Sequence, residues 1–138
     1  MNKLKSFVIV LLLCLVGFTS GLNNSVQAAE VCTTVDEKCK SVRMYYGEAQ
    51  YVASGQTYFN KGETIYYGWD NDPPGIMQVA FQIYNSAGAP VSRELVAVRE
   101  GNNYGFWTVT SSGYYYLFAA CEGGNDRRCS GGGKFMKW

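Results

Sequence analysis

The chain has 138 residues, with 12 Lys and Arg against 11 Asp and Glu, and no histidine. Its formal charge of +1 becomes about −1 without Lys3 and Lys5, so nothing in the charge calls for nucleic acid or an anionic membrane. Without histidine the usual Ser-His and Cys-His nucleophile pairs are excluded, and so are most zinc sites.

Residues 1–29 have the layout of a secretory signal peptide. Lys3 and Lys5 give a positive start, 7–16 is almost wholly apolar, and Ser25-Val26-Gln27-Ala28-Ala29 offers small residues for cleavage. The apolar run is too short to span a membrane stably. Cys14 lies inside that run behind Leu12-Leu13, a poor setting for a lipid anchor. Cleavage after Ala28 or Ala29 predicts one secreted domain over 30–138, roughly 109 residues, with no stable membrane insertion.

Cys32, Cys39, Cys121 and Cys129 remain, and an exported chain favours their oxidation. Four cysteines allow three pairings, and sequence alone does not choose among them. A hairpin across 122–128 would bring Cys121 and Cys129 together, leaving Cys32 for Cys39. No Cys-x-x-Cys pair occurs, so no metal is expected.

Turn signals then recur at short intervals: Asn60-Lys61-Gly62, 70–75, 85–88, Gly101-Asn102-Asn103, Ser111-Ser112-Gly113 and the glycines around Cys129. Between them, β-branched and aromatic runs predict strands over 41–46, 50–53, 64–69, 77–84, 91–98, 104–110, 114–121 and 134–138. No segment has a helical period. The expectation is an all-β, antiparallel β-sandwich, jelly-roll or Ig-like, with two disulfides.

Period-two alternation assigns faces. Ile65, Tyr67, Trp69, Val79, Phe81, Ile83, Trp107, Val109, Tyr115, Leu117 and Ala119 form a predicted inner face. The opposite sides carry Tyr66, Gln78, Gln82, Tyr84, Tyr114, Tyr116 and Phe118.

Gly62-Glu63-Thr64-Ile65, the run Phe81-Gln82-Ile83-Tyr84-Asn85-Ser86-Ala87-Gly88, and Ser112-Gly113-Tyr114-Tyr115-Tyr116-Leu117 share a layout of turns and strands. In that layout the middle of the chain resembles the pre-peptidase C-terminal β-sandwich of secreted bacterial peptidases. The resemblance implies a non-catalytic appendage that helps secretion or binds extracellular polymers. The four cysteines depart from that pattern.

The aromatic and glutamine set, Tyr66 to Phe118, is the candidate ligand site, because sugar rings stack on aromatic planes while amides and hydroxyls bond sugar hydroxyls. The competing expectation is that residues 45–59 cover this face as a second layer. Asp70-Asn71-Asp72 reads as a turn before Pro73-Pro74-Gly75, since Ca²⁺ needs more oxygens than it supplies. Arg127, Arg128, Lys134, Lys137, Phe135 and Trp138 read as a solvated basic hairpin, with Trp138 sealing the sandwich edge. Asp70, Asp72, Glu94, Glu100 and Glu122 show no apolar setting that would raise a pKa, so no catalytic residues and no cofactor are expected. The sequence therefore predicts a small secreted bacterial binding protein, with a carbohydrate, cell-wall polymer or secreted protein as partner and no nucleic acid. A secreted antagonist, such as an inhibitor or bacteriocin-like protein, is the other class that fits.

Overall fold

Runs that alternate at period two become strands because each can turn one side to a core and the other to water. In the computed structural model, which describes residues 30–138, nine strands form among those residues. They are β1 Lys40–Met44, β2 Tyr51–Ala53, β3 Thr57–Phe59, β4 Thr64–Asn71, β5 Val79–Asn85, β6 Leu95–Ala97, β7 Asn102–Thr108, β8 Gly113–Cys121 and β9 Gly131–Lys137. One short 3₁₀ turn, Glu122–Gly124, lies between β8 and β9. The signal-peptide reading of 1–29, Cys14 included, lies outside the described residues.

The first sheet runs β1-β9-β4-β7, and the second β2-β8-β5-β6, with β3 also on β8. All pairings are antiparallel. Strands β2 and β3 lie end to end along one edge of β8, opposite Phe118–Ala120 and Gly113–Tyr115 respectively. Taken as one interrupted strand, they leave eight strands wound in the order of a jelly roll, which decides between the two sandwich types expected. The same pairing corrects a second expectation. Residues 51–53 and 57–59 extend the second sheet sideways and do not lie over its aromatic face.

The inner faces meet in one core. Ile65, Tyr67 and Trp69 of β4 face Val79, Phe81 and Ile83 of β5 and Tyr115, Leu117 and Ala119 of β8, all nearly or fully buried. Met44, Phe59, Val109 and Phe135 complete it, and Trp107 packs on its margin. Burying each such large apolar side chain stabilises the fold by about 1.5–3 kcal/mol.

Strand bounds depart from expectation where side chains override local pattern. β9 begins at Gly131, three residues before the predicted strand, because Trp69 lies flat on the glycines. A Cβ on Gly133 would stand 2.5 Å from Trp69 Cε3 and 2.7 Å from the Gly68 carbonyl. The predicted strand 91–98 shrinks to Leu95–Ala97. There the Ser92 hydroxyl accepts the Ile83 N–H at 2.9 Å, and only a single bridge joins Tyr84 to Pro90.

The disulfides are Cys32–Cys39 and Cys121–Cys129. The pairing agrees with expectation, but the hairpin behind it does not exist. Cys121 ends β8 in the second sheet, and Cys129 lies two residues before β9 in the first. The bond therefore staples one sheet to the other. Both sulfurs are buried in the core.

Candidate functional site

β5 and β8 alternate strictly, so everything they do not give to the core appears on one outer face. Cross-strand register sets Tyr84 opposite Tyr116, Gln82 opposite Phe118 and Ala80 opposite Ala120. Tyr51 of β2 joins at the edge, stacked on Phe118 at 5.8 Å. Phe118 then meets Tyr84 at 5.1 Å, and Tyr84 meets Tyr116 at 5.7 Å. The result is a continuous strip of four rings, Tyr51-Phe118-Tyr84-Tyr116, across the sheet. A separate pair, Tyr58 and Tyr114, sits edge to face at 5.3 Å on the β3 side.

This face is open. Tyr84, Tyr116 and Phe118 are half-buried by one another, while Tyr51, Tyr58 and Tyr114 are exposed. Shallow hollows flank the strip. One of about 170 Å³ is lined by Ala80, Gln82, Tyr84, Glu94 and Phe118. Another of about 410 Å³ is lined by Ser54, Gln56, Ser86, Gly88 and Tyr116. Among the described residues, tyrosine hydroxyls donate hydrogen bonds from Tyr66, Tyr67 and Tyr115, whereas those of Tyr84, Tyr114 and Tyr116 are left for solvent or ligand.

The predicted set therefore divides. Tyr84, Tyr114, Tyr116, Phe118 and Gln82 share this face, and Gln78 lies exposed just before β5. The Gln82 amide is partly committed, since its Nε2 donates to the Ser92 carbonyl at 3.1 Å. Tyr66 belongs elsewhere. It sits on β4, on the outer side of the first sheet, because alternation fixes a face within a strand but not which sheet the strand joins. Tyr51 and Tyr58, which the sequence pattern does not mark, complete the strip and its neighbour. Their strands are too short to show an alternation of their own.

Tyr66 has aromatic company too. Its ring stacks near Tyr104 at 5.9 Å and Trp138 at 6.1 Å, with Phe106 at 5.7 Å. Trp138 is 70% exposed and packs on this outer face, so it does not seal the sandwich edge. The Tyr66 hydroxyl donates to Glu30 Oε1 at 2.5 Å. Burial first, and then this carboxylate, raise its pKa well above the usual tyrosine range.

The Asp70-Asn71-Asp72 stretch is no exposed turn; all three are buried. Asn71 knots the core margin, accepting from Trp69 Nε1 and donating to the Ala97 and Val98 carbonyls. Asp72 pairs with Arg43 and accepts from Ser130. Asp70 corrects the reading that no carboxylate has a perturbing environment. Burial, followed by the Glu30 and Asp72 charges, pushes its pKa up to about 6. The basic C-terminal patch also dissolves. Phe135 is core, Arg128 pairs with Asp126, Lys134 with Asp36, and Lys137 with Glu37. Among the described residues, no cluster of three or more metal-ligating side chains forms, and no helix is long and apolar enough to cross a membrane.

These features define a disulfide-stapled all-β sandwich whose two outer faces carry aromatic side chains. No family model and no curated protein matches the chain. Of the pre-peptidase C-terminal resemblance, the structure shows the all-β sandwich. Among solved structures the chain is similar to PliG of Aeromonas hydrophila, a periplasmic inhibitor of g-type lysozyme. That match has 9% identity over 80% of this chain and 95% of PliG, with a TM-score of 0.49. A structure of the CBM51-2 domain in complex with GlcNAc and INT domains from Clostridium perfringens ZmpB matches at 11% identity and a TM-score of 0.49. It covers 80% of this chain and 29% of that one. PirA matches at 10% identity and a TM-score of 0.38, over 74% of this chain and 94% of PirA. Likeness at this level transfers neither ligand nor site.

Proposed function

We propose that the protein is an exported, non-catalytic binding protein whose outer second-sheet face takes an extracellular or cell-wall polysaccharide. One observation carries the reading: the strip Tyr51-Phe118-Tyr84-Tyr116 lies open across the sheet, with neighbouring ring centroids 5.1–5.8 Å apart. A soluble protein rarely leaves so many adjacent aromatic rings facing water without a partner for them. Stacking supplies area while the tyrosine hydroxyls meet sugar hydroxyls, and the flanking hollows give room for groups projecting from the chain of sugars.

The buried pair Asp70 and Asp72 argues against hydrolysis, because Asp72 is committed to Arg43 and Ser130. The test is co-sedimentation with insoluble polysaccharides and cell-wall sacculi. Binding that Tyr116→Ala weakens, with folding intact, supports the reading. Binding to a secreted protein in place of any polymer would overturn the polysaccharide reading and keep the binding class, and inhibition of a wall-degrading enzyme would replace it with the antagonist class.

A further inference from the structure

On the outer side of the first sheet, β4 presents Tyr66, Gly68 and Asp70 in succession. Gly68 lies opposite Tyr104 and Lys134, and Asp70 opposite Asn102 and Gly132. Glycines at 68 and 132 leave the sheet bare there, and neighbouring side chains lean into the space. A Cβ on Gly68 would stand 2.6 Å from the Tyr66 hydroxyl and 3.0 Å from Glu30 Oε1. Beside it opens a hollow of about 260 Å³, lined by Glu30, Tyr66, Lys134, Met136 and Trp138.

Glu30 lines the hollow beside Lys134, and the buried Asp70, outside that lining, is close enough to feel the Glu30 charge. Glu30 Oε1 accepts from Tyr66, but Glu30 Oε2 and Asp70 Oδ1 are buried with no hydrogen-bond partner among the described residues. Asp70 is only 5% exposed. The nearby cations are committed elsewhere: Lys134 Nζ reaches Asp36 at 3.3 Å, and Arg43 pairs with Asp72. Buried carboxylate oxygens without partners oppose folding, so a chain that keeps two together has a reason beyond stability.

We propose that this hollow binds a primary ammonium group borne on a short carbon stem or ring. Glu30 accepts its N–H groups, Asp70 reinforces the negative field, and the Tyr66 and Trp138 rings pack against the adjoining carbons. An ammonium brings three donors and the missing positive charge, and aromatic faces attract it further. A neutral hydroxyl would satisfy the oxygens and leave the charge. A hard metal ion wants six or more oxygens, and no group of three metal ligands gathers here among the described residues. This site is separate from the second-sheet strip and stands or falls without it.

The charged and titratable groups facing Asp70 and the hollow are Glu30, Asp72, Tyr66, Tyr104, Lys134 and Arg43. Because Asp70 ionises near pH 6, ammonium uptake should strengthen between pH 5 and pH 7. The test is an amide NMR titration of the folded chain with glucosamine and with Nα-acetyl-lysine methylamide. N-acetylglucosamine and Nα-acetyl-norleucine methylamide serve as neutral controls. At pH 7 the amines should shift Gly68, Asp70 and Lys134 and the controls should not. Glu30→Gln, Asp70→Asn and a drop to pH 5 should each weaken binding several-fold, with Tyr116→Ala unchanged. Preference for the lysine analogue points to a protein source, and preference for glucosamine to an amino sugar. Equal binding of the neutral controls, or wild-type affinity in both carboxylate variants, would overturn the proposal. So would finding the chain's own α-amino group seated in the hollow.

Discussion

The outer faces of the two sheets arise from the same period-two pattern, and both carry clustered aromatic rings, yet they differ in charge and shape. On the second sheet, rings from β2, β5 and β8 form a neutral strip, and the small pair Ala80 and Ala120 leaves only a shallow hollow beside it. On the first sheet, Gly68 and Gly132 remove side chains from the middle, and the space fills with Glu30 and the hydroxyl of Tyr66 beside buried Asp70. One face offers area and the other a charged recess. Where a strand places glycine decides whether an aromatic face becomes a platform or a pocket.

The largest effect should come from crossing the second sheet. Tyr115 is 4% exposed and packs against Phe59 and Trp107, so Tyr115→Ala should destabilise by about 3–5 kcal/mol through a core cavity. Tyr116→Ala, one residue away on the open side, should lose less than about 1 kcal/mol. Denaturant titration of the two variants checks this. Equal losses would mean that the strip is structural.

Next comes the staple between sheets. Replacing both Cys121 and Cys129 by Ser should destabilise by about 2–4 kcal/mol, readable as a lower unfolding midpoint under non-reducing conditions. An unchanged midpoint would show that core packing alone joins the two sheets.

A smaller effect of opposite sign is expected on the first sheet. The folded-state pKa of Asp70, about 6, lies above its value in an unfolded chain, so its ionisation opposes folding. Its penalty is absent near pH 4 and grows as pH rises through about 6. Asp70→Asn should therefore stabilise by about 1–2 kcal/mol at pH 7 and by almost nothing at pH 4. Stability curves at the two pH values decide it. The smallest change should follow Phe106→Ala, within about 0.5–1 kcal/mol, because its ring is 47% exposed on the first sheet. Polymer binding by the second sheet should be untouched.

Much of the architecture was legible because alternation is a local property. The inner residues of β4, β5 and β8 were readable one by one, since each strand is long enough to repeat its period. Sheet membership was not, because pairing joins residues as distant as Lys40 and Phe135. That is why alternation alone groups Tyr66 with rings it never meets. Gly131–Gly133 read as loop because nothing local announces that Trp69 will lie against them. The Asp70-Asn71-Asp72 run resembled a turn for a related reason: its burial depends on Ser130, Arg43 and the Ala97 and Val98 carbonyls, all remote in sequence. Glu30 offers no signal at all, because Tyr66, which donates to it, lies 36 residues further on.

The most direct test of the central claim is the affinity of Tyr116→Ala for whichever wall polymer or polysaccharide the wild-type protein retains, with Phe106→Ala measured in parallel. The account predicts that Tyr116→Ala weakens binding by about 1–3 kcal/mol, roughly five- to 150-fold in Kd, at a nearly unchanged melting temperature, while Phe106→Ala binds as wild type. Wild-type affinity in Tyr116→Ala, or loss in Phe106→Ala alone, would contradict it and move the binding face to the first sheet.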